Sequence, residues 1–354
     1  MAPKLMKAAL CKEPGKPIVI EHIPTPTPTG RDLLVRVEVA TLCNSDIGIT
    51  QSGGFGLSTY PLVIGHEAVC IVEELGPDAL VYDFKPGDRI GSPLWRDMCL
   101  TCYECTNIGP QFCPSKKLMG LTAPGYFCEY TLVDAACAVK VPEKEGIQAA
   151  QLSPLFCAGI TVWDALRRAE LKDGETVAVV GVGGLGEMGV KYAHAMGCKV
   201  LGLDINEEQL RGVLESGVVD GIVNTRTTEP GDVLGVVREL NGGRGVDVVV
   251  VTSGALKAYE TAIGILRPEG RLIAVGVPLE SVPLSMSLMA SYAFKIIGAK
   301  VHGQIGCSEC VAFSHEKGIY PRINPREFQL EDINEMIALL KAGNVQDGRM
   351  AIRF

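Results

Sequence analysis

The sequence predicts an α/β fold with two parts: a doubly wound parallel sheet and a second, β-rich part. Three observations lead there. From Thr176 onward, short apolar strands alternate with helical segments, the pattern of a parallel sheet covered on both faces. The first of those strands runs directly into a glycine-rich turn, Gly181-Val182-Gly183-Gly184-Leu185-Gly186. Residues 1–140 instead carry strand-like stretches separated by Pro/Gly/Thr clusters. At roughly 100–200 residues per domain, a chain of this length is expected to form two.

In chain order, strands are expected at 34–40, 68–75 and 129–133, with residues 24–30 (Pro-Thr-Pro-Thr-Pro-Thr-Gly) an extended connection. Residues 148–169 read as helical. The parallel part follows: a buried strand at 176–180, a helix to about Met196, and a strand at 199–203. Asn206-Glu207-Glu208-Gln209 then reads as a helix start of capping-box type. Further strands are expected at 219–223, 246–251, 271–275 and 294–298, and an amphipathic helix at 331–342 before Gly343.

Composition excludes several roles. The chain has 354 residues, 47% hydrophobic and 21% charged, enough to bury a full core in each domain without disulfides. A net charge of −8 argues against a general nucleic-acid binder. No stretch approaches the ~18 apolar residues of a membrane span, and residues 1–20 lack the apolar run of a signal peptide. The expected compartment is the cytoplasm, where disulfides are rare. The 13 cysteines therefore read as buried small hydrophobes plus metal ligands.

The glycine turn predicts a dinucleotide site. It follows one strand, opens a helix, and is answered by Asp204 at the end of the next strand, 18 residues after Gly186. The glycines permit a tight turn and close approach to a pyrophosphate, and the helix N-terminus supplies N–H groups and positive potential. Asp204 is expected to accept hydrogen bonds from the adenosine ribose. It would repel a 2′-phosphate, as would Glu207 and Glu208, and no Arg or Lys lies in 204–210, so NAD(H) is favoured over NADP(H).

Cys99, Cys102, Cys105 and Cys113 place four thiols within fifteen residues, which suits a closed tetrahedral Zn²⁺ site. Iron–sulfur ligation competes. A lobe expected to lack apolar cover fits a structural zinc better. Four full ligands leave no open position, so this metal is expected to stabilise rather than react.

Cys43-Asn44-Ser45-Asp46, Gly65-His66-Glu67, the four-cysteine stretch, Cys157-Ala158-Gly159 and the glycine turn occur in an order that resembles the zinc-containing alcohol dehydrogenases of the medium-chain dehydrogenase/reductase superfamily. The resemblance covers essentially the whole chain. It implies a GroES-like catalytic domain of distorted-barrel type from 1–157 and 299–354. It implies a Rossmann domain at 158–298, with the active site where the two meet. It implies two zinc ions per subunit, the catalytic one held by Cys43, His66 and Cys157. Asp46 would orient His66, and Glu67 would lie behind the metal. The metal would serve as Lewis acid to the substrate oxygen, Ser45 would pass the proton outward, and hydride would move between substrate carbon and nicotinamide. Arg349 would contact the pyrophosphate and Val275 the nicotinamide amide. A homodimer or homotetramer acting on a small alcohol or carbonyl compound, with no nucleic-acid or membrane partner, is the implied assembly.

The chain departs from the family at several positions. Gly48 stands where many members place the last His of a proton relay, so the proton would pass through the cofactor ribose to water. Asn44 stands where many carry a cation near the pyrophosphate. Gly53-Gly54-Phe55-Gly56 replaces a region that often holds a Trp, while Trp95 is kept where a pocket aromatic is expected. Loss of an indole predicts room for a substrate larger than ethanol, in a pocket lined by Ser45, Gly54, Phe55 and Trp95. Cys157 argues against a polyol dehydrogenase, whose members often use Glu there. A zinc protein on the same scaffold with a non-redox role, as lyase, isomerase or binding protein, is the alternative kept open by Gly48 and Asn44.

Overall fold

A computed structural model describes residues 2–54, 56–343, 345 and 348–354. The chain forms two compact units, one made of residues up to Ile160 together with Val301–Phe354, the other of Thr161–Lys300. Among the described residues no helix is long and apolar enough to cross a membrane.

The first unit is antiparallel. Its central strand, Asp32–Thr41, is buried along most of its length and pairs on one edge with Ala68–Leu75. Two strands share its other edge: Tyr130–Asp134 lies beside residues 32–36, and the C-terminal Ala351–Arg353 lies beside residues 39–41. Arg89–Gly91 and Val139–Lys140 extend the sheet beyond Ala68–Leu75. A smaller sheet orders Val19–Pro24, Leu5–Cys11 and Leu62–Val63. Apolar side chains of these strands, among them Val35, Val37, Ile64 and Ile90, form the core with the C-terminal helix Ile333–Lys341. Cys70 sits in this core opposite Val37 and Ile90, so its role is packing.

The expected helix over 148–169 is broken. The chain forms Ala149–Leu152, a 3₁₀ turn Ser153–Phe156 and a helix Ala158–Arg168, with Cys157 between them at φ −130° and ψ −74°. Pro154, at the start of the 3₁₀ turn, has no N–H to continue the ladder, which accounts for the break. The four-cysteine lobe also differs from expectation. It has apolar cover: Trp95, Met98, Cys113 and Cys137 form a buried cluster, flanked by Leu94, Leu100 and Leu118.

The second unit holds six strands, which we label β1 (Thr176–Val180), β2 (Lys199–Asp204), β3 (Gly221–Asn224), β4 (Val246–Val251), β5 (Leu266–Ala274) and β6 (Lys295–Gly298). They form one parallel sheet in the order β3-β2-β1-β4-β5-β6, the Rossmann order. β1 and β4 are buried at every residue, as strands covered on both faces must be. β5 starts earlier than the expected 271–275, but its regular pairing with β4 begins only at Arg271. Pro268 and Glu269, the latter at φ 60°, interrupt what precedes. Asn206 caps the helix Glu207–Glu215 by accepting from the Glu208 N–H at 2.9 Å.

Candidate active site

Strand register assembles the first site. Where Asp32–Thr41 ends, Ala40 faces Ala68 and Thr41 faces Ala351. The Thr41 N–H donates to the Glu67 carbonyl and the Leu42 N–H to the Met350 carbonyl. Three segments far apart in sequence therefore end side by side, carrying Cys43, His66 with Glu67, and Arg349. The 3₁₀ turn adds Cys157, and its Ser153 hydroxyl lies 2.8 Å from that of Thr41.

Asp46 uses both carboxylate oxygens. One lies 2.9 Å from His66 Nδ1 and the other accepts from the Cys43 N–H at 2.9 Å. This bond directs Nε2 of His66 away from Asp46, the second-shell arrangement of ligating imidazoles. The ligand atoms of Cys43, His66, Glu67 and Cys157 all lie within 4.8 Å of one another. The hydrogen bond with Cys157 holds the Cys43 thiol well below its usual range; burial opposes this, and His66 and Arg349 add to it. Burial pushes the Glu67 carboxyl up to about 8, although Arg349 works in the other direction. Two sulfurs, an imidazole and a carboxylate form a donor set that fits a zinc ion.

The other expected residues are placed as follows. Ser45 is exposed, with its hydroxyl 4.0 Å from the Cys43 sulfur. Arg349, expected on a pyrophosphate, donates from Nη1 to Glu67 at 2.6 Å. Trp95 is nearly buried in the lobe's apolar cluster, and its Nε1 donates to the His302 carbonyl at 3.1 Å. A Cβ on Gly54 would lie 2.4 Å from Leu121 and 2.7 Å from the Ser58 hydroxyl. Gly53, Gly54 and Gly56 all have positive φ, a conformation that glycine adopts without strain. Phe55 lies outside the described residues. Sequence reasoning missed Thr41 and Ser153, both fully buried; no motif marks them.

The four-cysteine lobe brings its sulfurs together. Cys99 lies 3.9 Å from Cys105 and 3.6 Å from Cys113, and Cys102 lies 4.0 Å from Cys113. Four ligands at about 2.3 Å around one tetrahedral ion stand about 3.8 Å apart, so the set fits a single zinc. A multi-iron cluster would need them farther apart. The N–H groups of Thr101 and Cys102 draw the Cys99 thiol down to about 5.

The glycine turn lies in the second unit at the end of β1. Gly181 has φ 94°, and a Cβ on Gly186 would come within 1.8 Å of the Gly181 carbonyl oxygen. Nothing lies within 4 Å of where a Gly183 side chain would start, so the backbone there is open to approach. The turn leads into the helix Gly184–Ala195, with Leu185 half-buried in its first turn. Asp204, at the end of β2, accepts from the Val182 N–H at 2.7 Å and the Asn206 N–H at 2.9 Å. Val275 follows β5, and its N–H donates to the Val251 carbonyl at 3.1 Å.

The chain is similar to known proteins in sequence and fold. Residues 29–143 match the family model described as alcohol dehydrogenase GroES-like domain, and residues 184–314 the one described as zinc-binding dehydrogenase. The alcohol dehydrogenase of Geobacillus stearothermophilus is 31% identical over 98% of this chain and 99% of its own length. The crystal structure of the alcohol dehydrogenase from Aeropyrum pernix superposes with a TM-score of 0.89 at 28% identity, covering 98% of this chain and 100% of that one. That of the Helicobacter pylori enzyme CAD, complexed with NADP(H), gives a TM-score of 0.82 at 25% identity, covering 99% and 98%. With both metal-ligand sets, the Rossmann strand order and a full-length relative in agreement, the chain belongs to the zinc-containing alcohol dehydrogenases of the medium-chain dehydrogenase/reductase superfamily.

Proposed function

We propose that the chain interconverts a small alcohol and its aldehyde or ketone with NAD(H), using a catalytic zinc at Cys43, His66 and Cys157 and a structural zinc at Cys99, Cys102, Cys105 and Cys113. The observation that carries this reading is the Cys43/His66/Cys157 donor set with Asp46 hydrogen-bonded behind the imidazole. Three protein ligands leave a position for substrate, as catalytic zinc sites do. When bound, zinc supplies a Lewis acid to the substrate oxygen and the nicotinamide supplies or accepts hydride.

The chain's own residues do the rest. Asp46 keeps His66 in the tautomer that ligates through Nε2. Ser45 takes the hydroxyl proton of the alcohol; being exposed, it hands it on without a His at position 48. Glu67 and Arg349 pair beside the ligands, Arg349 Nη1 lying 2.6 Å from Glu67 Oε1. Gly181, Val182, Gly183, Gly184, Leu185 and Gly186 receive the pyrophosphate at the helix N-terminus, and Val275 presents its backbone to the nicotinamide amide. Asp204 sets the preference for NAD(H), since its carboxylate, already fixed by two N–H groups, repels a 2′-phosphate.

We also propose that the protein is a homo-oligomer that pairs through β6. Among the described residues this edge strand pairs with one neighbour, β5. Its Ile296 is 42% exposed, and Val277, Leu279 and Met286, in the stretch of chain that leads from β5 to it, are exposed at 65%, 89% and 63%. Such an edge invites pairing with a second copy.

Metal analysis combined with an NADH-monitored substrate panel tests the function. Two zinc ions per chain are expected, with NADH formed from at least one of ethanol, benzyl alcohol and cinnamyl alcohol, and NADP⁺ used less well than NAD⁺. Absence of turnover across a broad panel, with both zincs and NAD present, would establish a non-redox role instead.

A further inference from the structure

Glu67 belongs to the same donor set as Cys43, His66 and Cys157, within 4.8 Å of each. A metal held by the three expected ligands therefore has a carboxylate within reach as a fourth. Were Glu67 to take that position, the site would be closed, as in a structural zinc, and no substrate could enter. What decides between an open and a closed site is whatever holds Glu67.

Both its oxygens are held. Arg349 Nη1 donates to Oε1 at 2.6 Å. The Thr41 hydroxyl donates to Oε2 at 2.9 Å. The Thr41 proton is spent on Glu67, so the Ser153 hydroxyl, 2.8 Å away, must donate to Thr41. Ser153 thereby fixes the Thr41 rotor, and a fixed hydroxyl has lost the freedom that weakens such a bond. Thr41, Glu67 and Ser153 are all buried, so water does not replace a missing partner there.

We propose that Thr41, backed by Ser153, is a positioning residue that keeps Glu67 on Arg349 and out of the metal's fourth position. The proposal rests on the reading that Cys43, His66 and Cys157 hold the catalytic metal. It assigns a function to two buried hydroxyls that neither ligate a metal nor bind cofactor.

The test uses the full-length protein loaded with cobalt(II), whose visible bands report coordination, titrated with azide. The four-cysteine site has no free position, so azide difference spectra report the Cys43/His66/Cys157 site alone. Wild type is expected to saturate. Thr41→Val keeps the shape but removes the hydroxyl. It is expected to need about tenfold more azide, because Glu67 now competes; a lost hydrogen bond of about 1.4 kcal/mol corresponds to that factor. Thr41→Ser restores the wild-type titration, and so does Glu67→Gln added to Thr41→Val. Ser153→Ala shifts the titration the same way by a smaller factor, and it decides the matter if Thr41→Val does not fold. A Thr41→Val protein that titrates like wild type, or a shift that survives Glu67→Gln, overturns the proposal. So does an unshifted Ser153→Ala where Thr41→Val is unfolded. A wild-type protein with no azide response overturns the underlying reading of the metal site, and this proposal with it.

Discussion

A single carboxylate illustrates how much rests on individual side chains. Asp46 is fully buried, yet it carries two hydrogen bonds, one to the His66 ring and one to the Cys43 N–H. It thus orders two proposed ligands at once. Removing such a partner typically costs 10–100-fold in metal affinity. Asp46→Asn is expected to weaken zinc binding at Cys43/His66/Cys157 by about that factor. Chelator competition reads it, and the zinc of the four-cysteine lobe should be retained; loss of both ions together would indicate a global effect instead. The same scale shows the limits of motif reading. Gly54 stands in no recognisable motif, yet Leu121 and the Ser58 hydroxyl lie where its Cβ would be, so the position takes no side chain without displacing them.

At the scale of elements, the parallel sheet is tied together by charges at its strand ends. Asp247 in β4 accepts from the Thr176 N–H of β1 at 2.8 Å and pairs with Arg267 of β5. Burial opposes its charge, but Thr176 and Arg267 outweigh burial and hold its carboxyl below the usual value. A carboxyl depressed in the folded state stabilises the fold above its unfolded pKa of about 3.9, and that stabilisation is lost as pH falls through the folded value. Asp247→Asn is therefore expected to lower stability by roughly 1–3 kcal/mol at neutral pH. The gap to wild type should close below about pH 4 in urea melts, since the wild-type charge is itself lost there. A gap that stays constant from pH 7 to 3 would assign the effect to packing. The helix break before Cys157 belongs to this scale too: Pro154 interrupts the ladder locally, and the turn that results sets the Ser153 hydroxyl 2.8 Å from that of Thr41 at the end of the sheet's central strand.

At the scale of the molecule, the proposed structural zinc and the proposed pairing through β6 would each complete one unit. In the first unit the four-cysteine lobe rests on the small Trp95/Met98 cluster, and a metal in its closed donor set would be part of the fold. Cys102→Ser is expected to lose one zinc ion and lower Tm by at least about 5 °C. An unchanged metal count and melting temperature would remove the structural role. In the second unit, the β6 edge predicts that Ile296→Lys, a charge in a paired edge, shifts the protein toward monomer while preserving its secondary structure. Light scattering alongside circular dichroism reads this; an unchanged oligomer would move the interface elsewhere.

The sequence by itself determined the local and the periodic. β1 and β4 are legible because strands covered on both faces must be apolar throughout. The glycine turn and Asp204 are legible because backbone approach and spacing are encoded within about two dozen residues. The four cysteines are legible for the same reason. Cys43, His66 and Cys157 are separated by long stretches and were recognisable only through their resemblance to a family. What only the tertiary structure decided is which partners meet. Register places Thr41 beside Glu67 on one edge and opposite Ala351 on the other, and the Pro154 turn brings Ser153 against it. Hydroxyls like these carry no pattern in one dimension. Their hydrogen bonds are specified by strands pairing across hundreds of residues, so their role appears only once the sheet has formed.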